Sequence, residues 1–248
     1  MKTLCGIQAR MSSARLPGKS LLPLNGETVI KRVHDSAKLS DVFYEVVVLT
    51  SIDKTDDELC NYLEGQNIKF IRGSLNNVLS RFIDATKVYE CSNVVRLTGD
   101  NPLIDSNVIK DVVDYHLENN FEYTSNIVKR LIPRGNDVEC IKKEALIKLN
   151  SYKLMDEDLE HVTLYIRKNP NLFRLGSFEK NYNLNNKNLR LTLDYVEDYK
   201  LIIEIYDKLN LSNDQNNIYE IDKLFTNNPY LKKINLEVSQ TQINEKSW

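Results

Sequence analysis

Apolar residues recur along this chain at two spacings. The runs Thr3–Gln8, Glu45–Thr50 (EVVVLT), Ile68–Ile71 and Asn93–Leu97 are β-branched and nearly continuous, as strands covered on both faces are. Between them, apolar residues return every three or four positions. That spacing predicts helices over Val29–Ala37, Thr55–Glu64, Val78–Tyr89 and Asp105–Tyr115, where Val108, Ile109, Val112 and Val113 share one face. The alternation predicts an α/β fold, a mostly parallel sheet with helices on both sides in a three-layer sandwich. Beyond about Tyr123 the rhythm loosens. Strands are expected over Tyr123–Ile127, Asp137–Ile141, Phe173–Phe178 and Leu189–Leu193, and helices over Glu157–Lys168 (stopped before Pro170), Glu197–Leu209 and Ile218–Thr226. Residues 1–230 read as one domain, with 120–145 as an insertion serving dimerisation or an acceptor. Residues 231–248 read as a tail, the last ten of them frayed.

At 248 residues, with 42% hydrophobic and 27% charged, the chain is globular and long enough for a self-sufficient core. Lys and Arg number 33 against 35 Asp and Glu, for a net charge of −2. No global basic field is present, so nucleic acid is not expected as a partner. No apolar stretch approaches the roughly 20 residues that span a bilayer, so no membrane partner is expected either. Cys5, Cys60, Cys91 and Cys140 lie far apart, without a C-x-x-C pair. This disfavours zinc and redox motifs and points to a reduced, cytoplasmic protein.

The first candidate chemistry follows the first strand. Gln8-Ala9-Arg10-Met11-Ser12-Ser13-Ala14-Arg15-Leu16-Pro17-Gly18-Lys19 sets Arg10, Arg15 and Lys19 in one short loop. In an open α/β sheet ligands bind outside the carboxyl ends of the strands. Arg forks match phosphate oxygens, Lys supplies a point charge, and small residues such as Ala9 and Ser13 let backbone N–H groups approach an anion. The loop has neither a Walker A nor a G-x-G-x-x-G spelling. Two acids stand at two further strand ends, Asp100 after Thr98-Gly99 and Asp194 after Leu193. Each could be a turn residue. Together they could share one hard cation, since Mg²⁺ takes one or two carboxylates plus phosphate oxygens and water. Asp105 and Asp198, each near a helix start, read as caps or first-turn acids.

These blocks resemble a known family. Ala9-Arg10-x-x-Ser13-x-Arg15-Leu16-Pro17-Gly18-Lys19 is similar to the opening motif of the cytidylyltransferases, which include the acylneuraminate and 3-deoxy-manno-octulosonate enzymes. Its spelling is closest to the branch of the spore-coat polysaccharide biosynthesis protein SpsF. Phe70-Ile71-Arg72-Gly73-Ser74 with Val78-Leu79 and Arg81-Phe82, Val95-Arg96-Leu97-Thr98-Gly99-Asp100-x-Pro102-Leu103-Ile104-Asp105, Pro133-x-Gly135-x-Asp137-Val138-Glu139, Glu160-His161-Val162-Thr163-x-Tyr165-Ile166 and Leu193-Asp194-x-x-x-Asp198 follow in order. Asn101 stands where that branch commonly has Cys, and Leu75-Asn76-Asn77 are neutral where it usually has acids.

The resemblance implies a nucleotide-diphospho-sugar transferase fold and transfer of CMP from CTP to a small anionic, sugar-like acceptor, with release of pyrophosphate. It implies that Arg10 and Lys19 hold the triphosphate, that Asp100 and Asp194 hold Mg²⁺ or Mn²⁺, and that Thr50, Arg72, Gly73, Ser74 and Thr98 lie near the nucleotide. It also implies a homodimer, to which the apolar Ile127, Val128, Leu131 and Ile132 would contribute. Asp137 and Glu139, spaced i, i+2, are expected to face one way and to form a polar acceptor wall with Asn126 and Arg134. Glu160 and His161 are the remaining acceptor candidates, His161 reading also as a hydrogen-bonded structural residue. His34 and His116 are expected to be partly exposed. Two rivals stay open: the same fold using another nucleoside triphosphate or a phosphorylated acceptor, and a non-catalytic binding subunit.

Overall fold

The computed structural model describes residues 2–211 and 216–238; the ten residues expected to fray lie outside that range. The chain runs through β1 (Thr3–Gln8), a hairpin of β2 (Pro23–Leu24) and β3 (Glu27–Thr28), α1 (Val29–Leu39), β4 (Glu45–Ser51), α2 (Asp57–Gly65), β5 (Phe70–Gly73), α3 (Val78–Val88), β6 (Asn93–Thr98) and α4 (Ser106–Asn119). It continues through β7 (Tyr123–Ser125), β8 (Glu139–Lys142), α5 (Lys143–Lys148), α6 (Asp156–His161), α7 (Leu164–Lys168), β9 (Leu175–Ser177), α8 (Val196–Leu209) and α9 (Ile218–Asn227). Seven strands form one sheet in the order β5-β4-β1-β6-β8-β7-β9. β5, β4, β1 and β6 are parallel, β8 is antiparallel to both its neighbours, and β9 is parallel to β7.

Alternate residues of the central strands feed two cores. Cys5 and Ile7 pack with α1, α2 and α4 on one face. Leu4, Val47 and Leu49 pack with α3, α5 and Ile166 of α7 on the other. Gly6 brings α3 close, because a Cβ there would lie 2.7 Å from the Phe82 ring. A third cluster joins Leu103, Leu191 and Leu193 to α8 and α9. Asp105 ties this unit on: one carboxylate oxygen caps α4 at Asn107 N (2.8 Å) and the other accepts from Ile218 N at the start of α9 (2.9 Å). Among the described residues no helix is long and apolar enough to cross a membrane.

Four expectations are corrected. Glu157–Lys168 is two short helices, broken at Val162, whose φ of 58° and ψ of −56° close a γ-turn with Thr163 N donating to His161 O at 2.5 Å. The buried Glu139 carboxylate, which accepts from the Thr163 hydroxyl, draws the chain inward there. Leu189–Leu193 is not a strand. It makes scattered bonds with loops, Leu191 N to Arg134 O (2.8 Å) and Leu193 N to Asp100 O (2.8 Å), and a single bridge from Arg190 to Arg134. His34 and His116 are buried, 8% and 2% exposed. His34 pairs with Asp35, while His116 sits between Thr124 and Asn93, and burial lowers its pKa to about 4. The start of the expected tail packs on the domain: Leu231 is buried in the third cluster, and Asn235 donates to the Asp198 carboxylate.

Candidate active site

The chain leaves β1 toward β4 on one side and leaves β6 through α4 toward β7 on the other, so connections diverge where these two neighbours end. In open α/β sheets a ligand crevice forms at such a switch point. Here it is a cleft of about 290 Å³ beyond Gln8 and Thr98.

One wall is the loop after β1. Met11 N donates to Asp56 (2.7 Å), and Gly18 N donates back to Met11 O (2.9 Å). Gly18 takes the left-handed conformation, φ 73°, which folds the loop on itself and points Lys19 into the cleft. There the Lys19 ammonium meets three oxygens, Asp100 Oδ2 (2.8 Å), Asp194 Oδ1 (2.9 Å) and Leu193 O (2.8 Å). Arg15 pairs with Asp194 (3.0 Å) and lies over the Tyr195 ring; Arg10 pairs with Glu160 across the cleft mouth (3.2 Å).

The second wall holds Asp194 in place. Asp198 is buried and accepts from Arg190, from the backbone N–H groups of Asp194 and Tyr195, and from Asn235. Arg190 also reaches Asp194 Oδ2 at 3.1 Å. Asp198 is thus the first-turn acid expected of it, an organiser of the turn that carries Asp194.

These arrangements set the charge states. Burial pushes the Asp194 carboxyl up, but Lys19, Arg15 and Arg190 outweigh it and hold it at about 2. Burial works against the Lys19 ammonium, yet Asp100 and Asp194 raise its pKa above the ordinary lysine value. Burial and the nearby Arg96 charge both lower His161, keeping the imidazole neutral at pH 7.

Two carboxylates and a carbonyl converging on one positive charge form the donor set a hard cation takes. No third Asp, Glu, His or Cys joins them among the described residues. The remaining positions of a bound Mg²⁺ would fall to phosphate oxygens and water. The residues fit the ion.

Of the residues singled out in the sequence, Ala9, Arg10, Ser13, Arg15, Lys19, Thr98, Asp100, Glu160, His161 and Asp194 line this one cleft. Others do not. Thr50 is buried and donates to Asp56, anchoring the strand end that in turn supports the loop. Arg72 turns away to Ser51 O, Asp53 O and Asp57. Gly73 makes room for Arg81, because a Cβ there would lie 2.7 Å from Arg81 Cγ. Ser74 caps the turn before α3 by accepting from Asn77 N.

The expected acceptor wall is not formed. Asn126 is buried in backbone bonds to Asn136 and Val138. Asp137 pairs with Arg130, and Arg134 lies in a separate basic groove with Arg130 and Arg190. Glu139 is 3% exposed and points inward to Arg96, Tyr123 and Thr163. An i, i+2 spacing puts two side chains on one side only while the backbone stays extended, and Asp137 lies before β8 begins.

The cleft also holds two residues to which sequence reasoning gave no role, Arg81 and Arg96. Both carry a readable signal, a charge within an otherwise apolar face of α3 and within a buried strand.

Comparisons with known proteins agree with this geometry. Residues 4–234 match the family described as cytidylyltransferase. The chain is 36% identical to spore coat polysaccharide biosynthesis protein SpsF of Bacillus subtilis, over 82% of this chain and 85% of that one. It is 36% identical to the 3-deoxy-manno-octulosonate cytidylyltransferase of Christiangramia forsetii, over 41% of this chain and 40% of that one. A solved cytidylyltransferase from Leptospira borgpetersenii superposes with a TM-score of 0.87 at 30% identity, covering 98% of this chain and all of the other.

Proposed function

Since the chain belongs to the cytidylyltransferase family, we propose that it transfers CMP from CTP to an acidic sugar or related acceptor, in surface polysaccharide or glycoconjugate biosynthesis. The observation that carries this reading is the convergence of Lys19 on Asp100 and Asp194 beside Arg10 and Arg15, at the carboxyl ends of β1 and β6.

An acceptor oxygen attacks the α-phosphorus of CTP in line. The new O–P bond forms as the acceptor hydroxyl gives up its proton to solvent and the bond to the bridging α,β-oxygen breaks, and pyrophosphate leaves with the electron pair. The protein positions the partners and neutralises charge. Arg10, Arg15 and Lys19 receive the charge that develops on the departing pyrophosphate. Asp100 and Asp194 would hold Mg²⁺ or Mn²⁺, which supplies charge neutralisation at the triphosphate. A neutral His161 can donate a hydrogen bond to an acceptor hydroxyl or accept one from it, and the Glu160 carboxylate is placed to accept one once released from Arg10.

The four cysteines are all unpaired and buried, which supports action in a reducing compartment such as the cytoplasm. A homodimer belongs to this reading too. β7 is paired on both sides within its own sheet and Ile132 is buried, so the contact rests on the half-buried Ile127, Val128 and Leu131.

Pyrophosphate release measured with CTP, UTP, GTP and ATP, with and without excess chelator, tests the reading. Release should prefer CTP and require the divalent ion. Equal use of ATP, or full activity in chelator, would overturn it.

A further inference from the structure

Cations of the cleft differ in what answers their charge. Lys19 and Arg15 face Asp194, and Lys19 also faces Asp100; Arg10 faces Glu160. Arg96 is matched from behind by the buried Glu139, with its Nε on Gln8 Oε1 at 3.2 Å. Among the described residues Arg81 makes no ion pair; Asp56 acts on it only from beyond contact. It is 1% exposed, donates from Nη1 to Leu49 O (2.9 Å), and keeps its Nε buried without an acceptor. A buried guanidinium without an anion in contact is costly unless a ligand supplies one. Its seat is specific, since Gly73 leaves the space its stem occupies. Burial, helped by the charge of Arg10 and opposed by that of Asp56, lowers its pKa to about 10, so it stays charged at neutral pH.

Arg96 is also fixed from behind. Glu139 accepts from Arg96, from the Tyr123 hydroxyl (2.7 Å) and from the Thr163 hydroxyl. Thr163 ends the γ-turn that follows His161, so one buried carboxylate locks both Arg96 and the segment presenting Glu160 and His161. Around Arg81 and Arg96 the cleft is lined by Gln8, Thr98, Glu160 and His161. These groups offer hydrogen bonds and no Phe, Tyr or Trp face on which to stack a base. Such a surface suits a polyhydroxylated acid.

We propose that Arg81 and Arg96 form the anion-holding subsite for the acceptor, Arg81 and Arg96 gripping its acidic group while Glu139 acts as a positioning residue behind them. This rests on the nucleotide reading above, in which Arg10, Arg15 and Lys19 are committed to the triphosphate. The subsite explains how the enzyme selects an anionic acceptor without Arg130 or Arg134, which lie outside the cleft.

The test is calorimetric titration of the full chain loaded with α,β-methylene-CTP and Mg²⁺. The probes are 3-deoxy-manno-octulosonate, N-acetylneuraminate, glucuronate and glycerol 3-phosphate, with neutral mannose as control. At least one acid should bind and mannose should not. Arg81→Gln and Arg96→Lys, which keeps the charge facing Glu139, should each weaken that acid on the order of 10- to 100-fold. The affinity for α,β-methylene-CTP should change by less than about two-fold. If Arg81→Gln fails to fold, as judged by circular dichroism, Arg96→Lys and Arg81→Lys carry the test. Binding of no acid, unchanged acid affinity in the variants, or a loss confined to the nucleotide would overturn the subsite. Failure of α,β-methylene-CTP to bind the wild-type protein would instead count against the nucleotide reading.

Discussion

Replacing Lys19 with alanine separates its two duties. In the folded chain its ammonium lies 2.8 Å from Asp100 and 2.9 Å from Asp194. The Asp194 carboxyl sits at about 2 against an ordinary 3.8, a gap worth roughly 2–3 kcal/mol of folding free energy shared among its three cations, of which Lys19 is the strongest. The sign follows from the depressed value: the contribution is complete above pH 3.8 and is lost as pH falls through about 2. Lys19→Ala leaves Asp100 without its ion pair and Asp194 with Arg15 and Arg190 only, so it should destabilise the protein by about 1–2 kcal/mol at pH 7, or roughly 2–8 °C in Tm for a chain of this size. Millimolar Mg²⁺ should raise the variant's Tm more than the wild type's, because the ion takes the ammonium's place between the acids. Turnover should fall on the order of 10²–10³-fold even with Mg²⁺, since the leaving pyrophosphate loses a charge donor. Thermal melts with and without Mg²⁺, paired with pyrophosphate release, measure both duties. Unchanged turnover would refute the phosphate grip, and an unchanged Tm would refute the coupling of Lys19 to the two acids.

Asp100→Asn and Asp194→Asn should each abolish most turnover, with the double variant hardly worse than either, because the two acids serve one ion; a fully active Asp194→Asn would break the two-carboxylate site. Gly135 has φ 107°, and a Cβ there would lie 2.7 Å from the Leu191 backbone, which leads to Asp194. Gly135→Ala should therefore cost about 1–3 kcal/mol in denaturant melts and reduce turnover, whereas wild-type values on both would show the approach is not tight. Sedimentation at micromolar concentration should give a mass near twice 28.8 kDa, and a mass near one chain would count against the dimer.

What could be read from the sequence was local. Strand and helix periods depend on residues within a turn or two of each other. Thr3–Gln8, Val78–Tyr89 and Asp105–Tyr115 could therefore be placed to within a few positions. Strand ends then located the loop of Arg10, Arg15 and Lys19 and the acid Asp100, because in a parallel sheet those ends face one crevice. Only the tertiary structure decided which partner each buried charge takes. Glu139 faces inward because Arg96, Tyr123 and Thr163, distant in sequence, close around it. The same long-range capture of Thr163 breaks the helix expected over Glu157–Lys168. Asp194 reaches the cleft on a segment that never becomes a strand, held by a few bonds to Arg134 and Asp100 and by Asp198 behind it. Arg81 had no visible role until packing placed it under the cleft with no carboxylate in contact among the described residues. Periodicity constrains which way a side chain points along its own element, whereas the free energy of a buried charge depends on whatever the rest of the chain brings within a few ångströms of it.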